Sequence, residues 1–113
     1  MRVYLPVGIF AALIAISGSA NAALVISKAP TSNVNCAAGV CTATAADAVL
    51  NVEDVKHLLK AGDLKIVSGS TAEDIAFNAT LNWTKPSRLT LDAYRSITFT
   101  QPVTAEGTGA VTL

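Results

Sequence analysis

From Asp63 onward, apolar residues fall on alternate positions, the period of a strand rather than a helix. Ile75, Phe77, Ala79, Leu81 and Trp83 share one side, while Ala76, Asn78, Thr80 and Asn82 share the other. The same parity runs on through Leu89, Leu91 and Ala93. The pattern then returns after 22 residues without a gap. Ile75 and Phe77 recur as Ile97 and Phe99, Leu81 as Val103, and Leu89-Thr90-Leu91 as Val111-Thr112-Leu113. The turn residues Lys85-Pro86-Ser87 fall on Gly107-Thr108-Gly109. A partial earlier copy puts Leu64-Lys65-Ile66 in the place of Leu89-Thr90-Leu91, and its polar loop to Ile75 is three residues longer.

A short-strand repeat of this length predicts an all-β fold, a right-handed parallel β-helix (solenoid) with coils of about 22 residues. Side chains one coil apart would then lie about 4.8 Å above each other and fill a shared interior. The expected stacked pairs are Ile75 with Ile97, Phe77 with Phe99, Leu81 with Val103, Leu89 with Val111 and Leu91 with Leu113. An antiparallel sandwich with strands of equal length is the competing reading. Stacks of this kind need three or more units and a closing cap, so two to three coils predict a piece of a longer chain or end-to-end self-association through open strand edges.

Upstream, the period changes. Val52, Val55, Leu58 and Leu59 make one helical stripe, predicting a short helix over 51–61. Asn51 is its expected cap, Glu53 and Asp54 suit its positive end, and Lys56 and Lys60 lie toward its negative end. Gly62 is expected to close it in the left-handed conformation. Residues 23–35, with Pro30 and no helical period, read as an extended lead-in; residues 42–50 fit no single period. At the very start, Arg2 precedes an apolar run from Leu5 to Ile16, then Ser17-Gly18-Ser19-Ala20-Asn21-Ala22. Charged, apolar and small-residue segments in that order predict a secretory signal over 1–22, cut between Ala22 and Ala23. The expected plan is a leader over 1–22, a lead-in and capping region over 23–62, and strand coils over 63–113.

Removal of the leader would leave seven Lys and Arg against eight Asp and Glu, a net charge of −1. The sequence has no basic run, so no nucleic-acid partner is expected. Cys36 and Cys41 are the only cysteines. In an exported chain they read as a disulfide closing a tight turn at Gly39. The alternatives are a redox pair or half a metal site. The spacing is not that of a CxxC pair and the one histidine, His57, is remote, so no metal or cofactor is expected.

The stretches 74–83, 89–93, 96–99, 103–107 and 111–113 resemble the coils of filamentous-haemagglutinin-like bacterial exoproteins. The resemblance covers about residues 63–113. It implies a secreted or surface-exposed structural or adhesive module, partnered by a surface glycan or protein and by an outer-membrane secretion partner. It transfers no binding residues.

Other chemistry is thinner. His57 lacks an evident partner for general-base work. Glu53, Asp54, Glu73, Asp74 and Asp92 are scattered, and Asp74 falls level with Ser96, so the acid does not repeat. An enzyme is therefore not expected; a fragment of a secreted carbohydrate-active enzyme, or a small periplasmic protein without a binding role, are the alternatives. Asn78-Ala79-Thr80 and Asn82-Trp83-Thr84 fit the glycosylation pattern, which a threonine-rich chain produces by chance. Lys85, Arg88, Tyr94 and Arg95 cluster near the turns as candidate contacts to a glycan or an acidic surface.

Overall fold

The computed structural model describes residues 22–113. The predicted leader lies outside the described residues, apart from Ala22. In chain order the elements are β1 (Ala23–Ser27), β2 (Val34–Ala37), β3 (Val40–Ala43), β4 (Asp47–Asn51), α1 (Val52–Ala61), β5 (Leu64–Val67), α2 (Gly69–Ala72), β6 (Asp74–Phe77), β7 (Leu81–Trp83), β8 (Arg88–Asp92), β9 (Ile97–Phe99), β10 (Val103–Ala105) and β11 (Ala110–Thr112).

These strands form three sheets. One has the order β9-β6-β1-β4, all parallel; a second pairs β10 with β7; the third has the order β11-β8-β5-β3-β2. The alternation read in the sequence appears as burial. Leu24 and Ile26 on β1, Leu50 on β4, Leu64 and Ile66 on β5, and Ile75 and Phe77 on β6 are all sealed from solvent. Their intervening neighbours are half-buried or exposed.

The pairing over 75–112 is parallel with a spacing of 22: Ile97 against Ile75, Phe99 against Phe77, Val103 against Leu81 and Val111 against Leu89. The Phe77 and Phe99 rings stack with centroids 5.2 Å apart. Leu64, Lys65 and Ile66 lie beside Leu89, Thr90 and Leu91. Burial is uneven across this set. Ile75, Phe77, Leu81, Leu89 and Leu91 are interior, Ile97 and Val103 are half-buried, and Phe99, Val111 and Leu113 are exposed. β9, β10 and β11 are outermost in their sheets, so their side chains are covered from one side only.

The fold class nevertheless differs from the expected all-β parallel β-helix. The architecture is mixed: parallel and antiparallel strands share a sheet, and helices stand among the strands. β2 and β3 form an antiparallel hairpin, with Cys36 opposite Cys41. Strand order does not follow chain order, because β1 lies between β4 and β6. α1 packs against β7, β4 and β5, and the three-residue insertion before β6 contains the short helix α2. The physical reason is local. The 22-residue spacing governs only the last two passes of the chain. Upstream, a two-residue turn and a helix-capping asparagine redirect it.

That turn is Ala38-Gly39, both left-handed at φ 51° and 78°, the geometry of a tight hairpin loop that matches strand twist. A Cβ on Gly39 would lie 3.0 Å from the Asp63 carbonyl oxygen. Residues 23–35 are no mere lead-in, since β1 occupies the interior of a sheet and Ser32 bridges antiparallel to Val49. α1 begins where the sequence predicts. The Asn51 Oδ1 accepts from the Glu53 and Asp54 N–H groups at 2.8 and 3.3 Å. Val52, Val55 and Leu59 are buried and Leu58 is half-buried. Gly62 departs from expectation: its φ of 163° is extended, and its N–H donates to the Leu58 carbonyl at 3.1 Å.

Candidate functional site

Helical spacing sets out the first half of the site. Glu53, Lys56 and Lys60 lie three and four residues apart, so they share one side of α1. α1 packs on β7, and the Leu59 carbonyl at its last turn accepts from the buried Ser87 Oγ at 2.6 Å. The Trp83 Nε1 donates to the Ser87 carbonyl at 3.0 Å. The helix and the turn carrying Lys85 are thereby fixed to one another.

Between them runs a groove. One part, about 590 Å³, is lined by Lys28, Glu53, Lys56, Asn78, Thr80, Asn82 and Gln101 among others. The next part, about 300 Å³, shares Glu53, Lys56 and Asn82 and adds Lys60, Thr84 and Lys85. Lys28 reaches it because the Asn51 Nδ2 holds the Lys28 and Ala29 carbonyls at 3.1 and 3.0 Å. Asn78 is held by the Thr100 hydroxyl, which donates to its Oδ1 at 2.9 Å.

Four of the five lysines of the chain thus line these two adjoining parts, Lys28 in the first, Lys60 and Lys85 in the second and Lys56 in both, with Glu53 as the carboxylate common to them. That carboxylate, Glu53, lies 3.5 Å from the Lys56 ammonium. The charges elsewhere are arranged differently. Lys65 pairs with Asp92 at 3.7 Å. Arg95 holds Asp74 through two hydrogen bonds, of 3.1 and 2.9 Å, and lies 3.3 Å from Glu73. Hydrogen bonds from the Arg95 guanidinium hold the Asp74 carboxyl below the usual aspartate range, and Asp74 raises Arg95 in turn.

The candidate residues read from the sequence are mostly separated by the fold. Of the group near the turns, Lys85 enters the groove, Arg88 Nη1 donates to the Thr112 hydroxyl, Arg95 is committed to its carboxylates, and Tyr94 is exposed. Asn78 and Asn82, singled out for their sequons, line the groove. His57 lies on another side of α1, exposed at the rim of a separate groove of about 400 Å³ with Asp54 and Thr31. There the Thr31 hydroxyl donates to Asp54 at 2.6 Å. Cys36 and Cys41 are joined as a disulfide across the hairpin, which is compatible with an extracytoplasmic location. The groove lysines come from three distant segments, so the sequence alone does not group them. Only the spacing of Lys56 and Lys60 was readable, and it fitted equally well with charges at a helix end.

No family model, curated protein or solved structure matches the chain.

Proposed function

We propose that this chain is an exported adhesive module, a binding protein rather than an enzyme, that engages a surface ligand through the groove beside α1. The observation that supports this reading is the groove itself: lysine, amide and hydroxyl side chains converge there on a frame of paired strands and a capped helix. A concave site with a few convergent polar groups is the general form of a ligand site. The disulfide is compatible with the exported part of this reading. Asp74, Asp92 and Glu73, the acids an enzyme of polysaccharides would gather, are instead spent on cations of the frame.

The test is retention of the fluorescently labelled chain on bacterial and epithelial cell surfaces. Asn82→Trp would fill the groove from an exposed position. The wild type is expected to be retained and the variant washed away, with unchanged circular dichroism. Absence of retention on every surface tried, or equal retention of N82W, would overturn the adhesive reading.

A further inference from the structure

The groove has a charge and a hydrogen-bonding character that together specify a ligand class. Resting on the adhesive reading, we infer that it binds an acidic polysaccharide, a chain of hydroxyl-rich sugar rings bearing carboxylate or sulfate groups. Lys28, Lys56, Lys60 and Lys85 supply four positive charges against the single negative charge of Glu53. The chain as a whole has a net charge of zero, so this surplus is local. Among the described residues, Lys28, Lys60 and Lys85 have no carboxylate within ion-pair distance, while Lys65 and Arg95 do. Like charges held in a concavity raise the local potential and draw in a polyanion.

The groups between the lysines select the kind of polyanion. Asn82 and Gln101 each offer an amide donor and acceptor, Asn78 offers its amide donor while Thr100 holds its Oδ1, and Thr80 and Thr84 offer hydroxyls. These pair with vicinal sugar hydroxyls, which both give and take hydrogen bonds. Single-stranded nucleic acid needs something else, aromatic faces on which bases stack. The one aromatic residue lining the groove, Trp83, is 4% exposed and its indole N–H is occupied by Ser87. The lysines also come from three levels of the molecule: the turn after β1, the length of α1, and the turn before β8. Charges spread along a groove suit a polymer with charges at intervals more than a single small anion.

The experiment measures binding of the exported chain to polygalacturonate, dextran sulfate, neutral dextran and a single-stranded oligonucleotide by calorimetry. One or both acidic polymers are expected to bind, the first identifying a carboxylate ligand and the second a sulfate ligand, and dextran is not. Raising salt from about 50 to about 200 mM should weaken binding roughly tenfold, as displaced counterions require. Lys28→Gln with Lys60→Gln should weaken it about tenfold or more, Glu53→Gln should tighten it, and Lys65→Gln, outside the groove, should leave it unchanged. Failure of both acidic polymers to bind, equal binding by the double variant, or an oligonucleotide bound as tightly would overturn the inference. Cell retention that is lost in N82W yet not competed by either acidic polymer would overturn this ligand class and leave the adhesive reading standing.

Discussion

Ser87 shows how much one buried hydroxyl can carry. It joins the last turn of α1 to the turn before β8, and it is 6% exposed. Ser87→Ala would leave the Leu59 carbonyl without this donor, at a cost of about 1–3 kcal/mol, read as a lower urea midpoint with an unchanged slope. Gly109 is the other sensitive point. A Cβ there would meet the Trp83 Nε1 at 2.8 Å and the Lys85 carbonyl at 3.1 Å. Gly109→Ala should therefore destabilise by about 1–3 kcal/mol and shift Trp83 fluorescence. Asp74 contributes to acid behaviour. Its carboxyl is held low by Arg95, so the pair stabilises the fold above the ordinary aspartate value of 3.8 and fades as pH falls through the lowered value. Asp74→Asn should flatten the fall in melting temperature below about pH 4. A wild-type and variant pair with parallel acid profiles would contradict that assignment.

At the scale of elements, α1 was the most legible part of the chain. Its cap, its buried stripe and its extent follow from spacing and side-chain chemistry alone, because a helix is specified by neighbours in sequence. Asn51→Ala should cost about 1–2 kcal/mol, since the side chain also holds the Lys28 and Ala29 carbonyls. The predicted end at Gly62 was less accurate: extended and left-handed glycines both stop a helix, and only tertiary contacts choose between them. The hairpin was half legible. The disulfide and the turn at Gly39 could be read from the residues, but not the antiparallel pairing that they enforce. Reduction of the disulfide should lower stability by roughly 2 kcal/mol, given the short ring it closes, and differential scanning calorimetry with and without reductant measures it.

At the scale of the whole molecule, sequence reasoning reached the pairing of β6–β11 but not the fold class. Alternation says which side chains are interior; it does not say which distant strand lies alongside. β1 illustrates the gap. Ala23-Leu24-Val25-Ile26-Ser27 is a short apolar run with no alternation in sequence, yet Leu24 and Ile26 are wholly buried between two later strands while their neighbours are not. Leu24→Ala should therefore cost about 2–5 kcal/mol, as in a central core position, and hydrogen exchange should rise in both β4 and β6. The groove was illegible for the same reason: Lys28, Lys60 and Lys85 are neighbours only once the strands are in place.

The seat of β1 also bears on maturation. In the sheet, Ala23 is flanked by Asp47 on one side and Asp74 on the other. Cleavage after Ala22, the cut the sequence predicts, would remove the Ala22 carbonyl that accepts the Asp74 N–H at 3.4 Å. In exchange it would create a free ammonium between two acidic residues. Proteolytic processing would then do more than release a leader: it would place a cation beside Asp47, Asp74 being already held by Arg95, and the processed chain should outlast its precursor on heating by a margin that salt erodes.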